Sequence, residues 1–168
     1  MGRFVGIGYY DLSSLYTSYI GKHKRGLVES AHPAHRHLRT LDLLNDREET
    51  EVLKEWRSAQ TFLQKVQQRL KLLPQPAEVM NAYIRAFQPG AFTQWIEDDA
   101  IDPDGFMRAH VLLNPVPTFR LYSDEEAFAP SPWVALVVDH KGRTCASNFN
   151  APATAHELVL EMALDIPG

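Results

Sequence analysis

An apolar stripe in residues 52–73 constrains the fold more than any other feature of the chain. Its members are spaced alternately four and three apart: Val52, Trp56, Ala59, Leu63, Val66, Leu70 and Leu73. This spacing predicts a helix from Asp46 to about Leu73, with a capping box at its start and Pro74 and Pro76 at its end. Because the positions that flank the stripe are partly apolar, the pattern favours packing inside one domain over a two-stranded coiled coil.

Other patterns divide the chain into a helix-rich first part and a strand-rich later part. Helices are also predicted over about 12–20, 33–44, 76–87 and 91–98, and a last one starts at a Thr154–Glu157 capping box. Strands are predicted over 4–10, 116–122, 133–139 and 143–149, with the last two paired as a hairpin. The order predicts an α+β fold, in which a helix-rich N-terminal half packs on a small, mostly antiparallel sheet with a C-terminal helix.

Length and composition indicate an ordinary globular protein. The 168 residues, 45% of them hydrophobic and 23% charged, suit a single domain over 1–168, with a possible boundary near 74–76. No apolar run is long enough for a membrane span. Cys145 is the only cysteine, so an internal disulfide is impossible and a reducing compartment, the cytoplasm, is predicted.

Charge is distributed unevenly along the chain. Residues 1–72 hold 12 basic and 8 acidic side chains, whereas residues 73–168 hold 5 and 13. Such an imbalance predicts something about binding partners rather than about the fold. The basic part offers Lys22, Lys24, Arg25, Arg36 and Arg39 as a patch for phosphates.

The segment HPAHRH is the obvious candidate for a metal site. It holds His32, His35 and His37. On a helix, His35 and His37 would point about 200° apart, so they could not bind one ion together. Surface histidines without a ligand role are therefore favoured, and the sequence predicts no metal site and no cofactor.

A second charged segment, Glu97 to Gly105, is tempting as a calcium loop. Placing Gly105 at loop position six puts Ala100 at position one and Val111 at position twelve, where acidic ligands are needed. The EF-hand interpretation fails on both. These acidic residues are predicted instead to bind a basic protein surface: Glu97, Asp98, Asp99, Asp102 and Asp104.

Motifs of catalysis are missing from the sequence. Gly6-Ile7-Gly8 has Asp11 where a dinucleotide-binding loop needs its third glycine, and neither a phosphate loop nor a nucleophile elbow is present. The leading hypothesis is thus a non-enzymatic protein-interaction module, monomeric or dimeric: a small regulator, an inhibitor or a subunit of a larger assembly. The alternative is a nucleic-acid-binding subunit that uses segment 22–39, and a third hypothesis is a metal-dependent hydrolase using the three histidines.

Overall fold

The computed structural model describes residues 4–29, 38–72, 76–93, 96–98, 106–123, 126–138, 142–149 and 153–164, and strands dominate it. The strands are β1 (Phe4–Tyr9), β2 (Val28–Glu29), β3 (Leu38–Asn45), β4 (Glu48–Glu49), β5 (Ala77–Phe87), β6 (Ile96–Asp98), β7 (Phe106–Leu112), β8 (Arg120–Ser123), β9 (Ala127–Phe128), β10 (Val134–Val138), β11 (Gly142–Ser147) and β12 (Ala155–Leu164). The α-helices are α1 (Ser13–Ser18), α2 (Glu51–Lys54) and α3 (Arg57–Lys71). A π-helical turn, Tyr19–His23, and a 3-10 turn, Lys24–Gly26, extend α1.

The strands form two sheets in which all recorded pairings are antiparallel. The larger sheet has the order β1-β10-β7-β12-β5-β3-β2, with β4 added beside β3. The smaller sheet has the order β6-β11-β8-β9. The later part of the chain passes back and forth between the sheets, as in a jelly roll: β5, β7, β10 and β12 lie in the larger sheet, and β6, the hairpin β8–β9 and β11 in the smaller.

Apolar side chains cover both faces of the larger sheet. On one face, Ile84, Val111 and Leu158 share a core cluster with Phe62 and Val66 of α3. Side chains at the alternate positions of the same strands point to the other face, towards the smaller sheet. There Phe87, Leu112 and Ala155 form a cluster with Phe119, Leu121 and Ala146. We call these two faces the helix-side face and the inner face.

This architecture shows that the predicted α+β fold with a C-terminal helix is wrong. The segments predicted as helices at 76–87 and after Thr154 are β5 and β12, two neighbouring central strands. Because both faces of these strands are covered, buried residues follow one another without a period of two. The expected polar–apolar alternation is absent for that reason, and the apolar positions imitate a helical stripe.

Four further parts of the prediction differ from the structure. Part of the segment predicted as a helix over 33–44 belongs to the strand β3. The end of the segment predicted as a helix over 91–98 is the strand β6. The long helix is broken into α2 and α3, and its predicted capping box is a hairpin turn in which Asp46 and Arg47 have positive φ. The predicted hairpin of 133–139 with 143–149 is also wrong, because β10 pairs with β1 and β7 whereas β11 pairs with β6 and β8.

No helix in the described part of the chain is long and apolar enough to cross a membrane.

Candidate active site

Three ionisable side chains meet on the inner face, at the centre of the larger sheet. Arg85 on β5, Glu157 on β12 and His110 on β7 come from three adjacent strands. Glu157 lies opposite Arg85 in one ladder, and His110 lies opposite Val159 in the other. Since side chains two apart on a strand share a face, the register brings all three to the inner face.

The three side chains are held by direct hydrogen bonds. Arg85 donates to Glu157 Oε1 from Nε, at 2.9 Å, and from Nη2, at 2.5 Å. The Nδ1 atom of His110 lies 3.1 Å from Glu157 Oε2. Both oxygens of the carboxylate are therefore engaged, one by the guanidinium and one by the imidazole.

All three ionisable side chains are buried, and removing charged groups from water costs free energy. Glu157 is 0% exposed, His110 4% and Arg85 8%. Burial by itself would raise the pKa of Glu157, but the neighbouring Arg85 and His110 outweigh it and lower that pKa to about 2. Glu157 is consequently ionised at neutral pH, and removing Arg85 or Glu157 would leave the other buried charge without its ion-pair partner.

One nitrogen of the cluster has no hydrogen-bond partner among the described residues. The Nε2 atom of His110 is buried and makes no hydrogen bond within the described part of the chain. An ionised carboxylate can only accept, so His110 Nδ1 must donate to Glu157, and Nε2 is the atom that can gain or lose a proton. The ring of Phe4 stands edge-on to the imidazole, with centroids 6.3 Å apart.

A second ion pair continues along the inner face. Arg108 on β7 lies opposite Glu161 on β12 and donates to its Oε2 from Nη2, at 2.7 Å, and from Nε, at 3.1 Å. Both side chains are partly exposed, at 19% and 25%. Tyr83, opposite Val159, shares this face, and burial raises its pKa. The inner face thus combines buried polar groups with apolar walls, the composition typical of small-molecule sites.

The adjacent histidine on β12 belongs to the other face. His156 Nδ1 lies 3.0 Å from the hydroxyl of Tyr19, which follows α1. Burial, reinforced by Lys24, lowers the pKa of His156 to about 4. His156 is therefore a neutral core residue at pH 7, separated by the sheet from the cluster around Glu157.

Sequence reasoning missed this cluster. It assigned Glu157 a capping function in a helix, and it did not single out Arg85 or His110. A usable signal exists in the chain, because each of the three interrupts an otherwise apolar stretch: Tyr83-Ile84-Arg85-Ala86-Phe87, Ala109-His110-Val111 and Ala155-His156-Glu157-Leu158. A charged residue inside such a stretch is rarely buried unless it is paired.

The charged residues and histidines that the sequence analysis named do not form one site within the described part of the chain. Lys22, Lys24 and Arg25 are exposed on the turns after α1, and Arg39 on β3 makes a 3.4 Å ion pair with Glu29. Glu97 and Asp98 are residues of strand β6. The others fall outside the described residues: Arg36, Asp99, Asp102, Asp104, and the three histidines His32, His35 and His37.

Cys145 is a free thiol on β11 and is half-buried. Burial raises the pKa of this thiol to about 11. At neutral pH it is protonated and therefore a poor nucleophile.

No family model and no curated protein matches the chain, but solved structures resemble it. An oxidoreductase of the 2OG-Fe(II) oxygenase family from Burkholderia pseudomallei superposes with a TM-score of 0.64 at 14% identity, over 95% of this chain and 84% of that one. The collagen prolyl hydroxylase vCPH of Paramecium bursaria Chlorella virus-1, solved as its 2OG complex, gives 0.61 at 11% identity, over 96% of each chain. A prolyl-4-hydroxylase of Pseudomonas putida gives 0.55 at 14% identity, over 96% of this chain and 91% of that one.

These similarities show a shared fold, and they correct the functional prediction. The protein was expected to be a non-enzymatic interaction module, with a nucleic-acid-binding subunit as the alternative. All three similar structures carry the names of oxygenases or hydroxylases, which contradicts both hypotheses.

Proposed function

We propose that the protein is an enzyme whose reaction takes place on the inner face, with His110 as a general base. The observation that carries the proposal is the buried Nε2 of His110, which has no partner among the described residues, beside the Nδ1 contact with Glu157. Buried polar atoms almost always have a partner, so an orphan at the centre of a polar cluster calls for an occupant. A substrate with a proton to transfer supplies one.

The carboxylate and the arginine support this function in different ways. Glu157 fixes the imidazole tautomer and stabilises the imidazolium that forms when Nε2 takes a proton, as the acid of a catalytic triad does. Arg85 is a positioning residue, because its two hydrogen bonds keep Glu157 ionised and in place. A base oriented in this way typically contributes about 10²–10⁴-fold to the rate of a proton transfer.

The described residues suit proton transfer better than nucleophilic catalysis. The thiol of Cys145 is protonated at neutral pH, and His110 Nε2 makes no hydrogen bond to a hydroxyl within the described part of the chain. Protons next to a carbonyl group are the carbon-bound protons that a single base removes most easily. A small carbonyl compound is therefore the substrate class that we propose.

The names of the similar structures raise the question of iron. A mononuclear site of the oxygenase type takes two histidines and one carboxylate, with open positions for substrate. Within the described residues no three His, Cys, Asp or Glu side chains are placed to hold a metal. Glu157 uses both oxygens for other partners, and His156 lies on the helix-side face. The described residues do not fit the iron site, and no step of the proposed reaction passes through a metal.

A direct test follows hydrogen exchange in a defined panel of 2-oxo acids, aldehydes and ketones dissolved in D₂O with the protein, read by proton NMR. We expect at least one compound to exchange faster with the wild-type protein than in buffer. The variant His110→Gln should lose about 10²–10⁴-fold of that acceleration, and treatment with EDTA should leave it unchanged. A panel without any catalysed exchange, or an unaffected His110→Gln, would overturn the proposal.

The location in the cell remains a proposal as well. One free, half-buried thiol suits a reducing compartment, so we assign the protein to the cytoplasm.

A further inference from the structure

A second site lies on the outer surface, away from the inner face. A groove of about 710 Å³ runs between the segment after β1 and the length of α3. The α3 wall of this groove presents Arg57, Thr61, Lys65 and Arg69, spaced four residues apart. Side chains at this spacing are neighbours along a helix surface, so they form one polar stripe facing the groove.

The stripe is positively charged, although the chain as a whole carries a net charge of −4. Among the described residues, three cations line the groove, and Asp11 is the one acid that does so. The Asp11 carboxylate is already engaged by Ser13, whose backbone N and Oγ lie at 3.0 and 2.7 Å. These bonds lower the pKa of Asp11 and keep it ionised, so it offsets one of the three positive charges and the groove retains a net positive charge. A concave surface with an excess of one sign raises the local concentration of the opposite ions.

The cations are presented in two ways. Arg69 is fixed, because its guanidinium carbon lies 4.5 Å from the centroid of the Tyr10 ring and its Nη1 donates to the carbonyl of Tyr9 at 3.4 Å. Arg57 makes no recorded hydrogen bond or ion pair in the described part of the chain, and Lys65 interacts electrostatically with Asp11. One preorganised and two available cations are what an incoming anion requires.

The spacing indicates the shape of the ligand. With a rise of 1.5 Å per residue, Lys65 is about 6 Å from Arg69 along the helix axis and about 12 Å from Arg57. A single compact anion cannot contact all three. We propose that this groove binds an elongated small molecule that carries at least two phosphate groups. Arginine and lysine recognise phosphate oxygens, and the hydroxyls of Ser14 and Thr61 add donors between the cations.

Titration calorimetry with inorganic tripolyphosphate and orthophosphate tests this site on the full chain. We expect saturable binding of tripolyphosphate, at least about tenfold tighter than that of orthophosphate, because only the longer anion reaches two cations. The variants Lys65→Glu and Arg57→Gln should each weaken tripolyphosphate binding by about tenfold or more. Both positions are exposed, so folding should be retained, and circular dichroism checks it.

Lys71→Glu is the matched control, since it changes a cation of the same helix outside the groove. This variant should bind tripolyphosphate within about twofold of the wild type, because the local charge and not the net charge of the protein governs a site of this kind. Equal affinities for the two anions, or an equal loss in Lys71→Glu and Lys65→Glu, would overturn the proposal. Neither result depends on His110, so failure here leaves the proposed enzymatic function untouched.

Discussion

The two faces of the larger sheet use the same strands for opposite purposes. On the helix-side face, β12 contributes Leu158 and Leu160 to an apolar core. On the inner face, one residue away, it contributes Glu157, which is 0% exposed and bonded to two other ionisable groups. Hydrophobic burial stabilises the first face, whereas the second face holds charges that are costly to desolvate. A chain keeps such groups in its interior at a cost in stability, which is why we assign function to the inner face.

The largest expected effect comes from neutralising the acid of the inner face. Glu157→Gln leaves Arg85 buried with no compensating charge, and the free energy of unfolding should fall by about 3–5 kcal/mol. Urea denaturation at pH 7 measures this loss. The same substitution at the partly exposed pair, Glu161→Gln, is the control, and it should cost distinctly less because water can solvate Arg108. Equal losses for the two variants would show that burial does not distinguish them.

A truncation next to Glu157 tests the other face. Leu158→Ala removes a fully buried side chain from the core under α3, and the expected cost is about 2–5 kcal/mol. Because no charge is involved, the cost should be the same at pH 7 and pH 5. The measurement is a pair of urea denaturation curves for Leu158→Ala and the wild type at each pH. A cost that changed with pH would mean that the helix-side face is coupled to the ionisable groups.

Stability should decline in acid in two steps, one from each face. The pKa of His156 is lowered to about 4, so between pH 6.5 and 4 the unfolded chain takes up a proton that the folded protein refuses. Stability is then lost as the pH falls, by an amount on the order of 3 kcal/mol. The pKa of Glu157 is lowered to about 2, so its contribution is present above about pH 4.5 and is lost as the pH falls towards 2.

Thermal unfolding followed across pH 3 to 8 resolves the first of these steps. The variant His156→Gln should lose most of the decline between pH 6.5 and 4 while keeping the decline at lower pH. An unchanged profile in this variant would assign the first step to another group.

Burial on both faces of the larger sheet also explains which strands could be predicted from the sequence and which could not. The strands β1, β10 and β11 were predicted close to their observed bounds. For β10 and β11 the turn residues at Pro130–Pro132 and His140–Gly142 mark the limits. The strands β5 and β12 were taken for helices, because burial on both faces removes the period of two. With β12 misassigned, the Thr154–Glu157 pair was interpreted as a capping box, and Glu157 received a local structural role.

The candidate site was beyond local reasoning for a different reason. Arg85, His110 and Glu157 are 25 and 47 residues apart along the chain, and only the register of three strands brings them together. Charged residues inside apolar stretches mark such positions individually. Which of them meet is decided by strand order, which no single stretch of sequence contains.

The smallest expected effect lies where a polar side chain enters the helix-side face. Gln67 of α3 donates from Nε2 to the carbonyl of Ala77 at 3.0 Å, and its Oε1 accepts from the backbone N–H of Val79 at 2.9 Å. It thereby joins the helix to the start of β5, and Gln67→Ala should cost about 1–3 kcal/mol because two backbone groups lose their partner. Gln68→Ala, at an exposed position of the same helix, should change stability by less than about 0.5 kcal/mol. If both variants unfold at the same urea concentration, water replaces Gln67 at no cost, and the helix-side face depends on apolar packing alone.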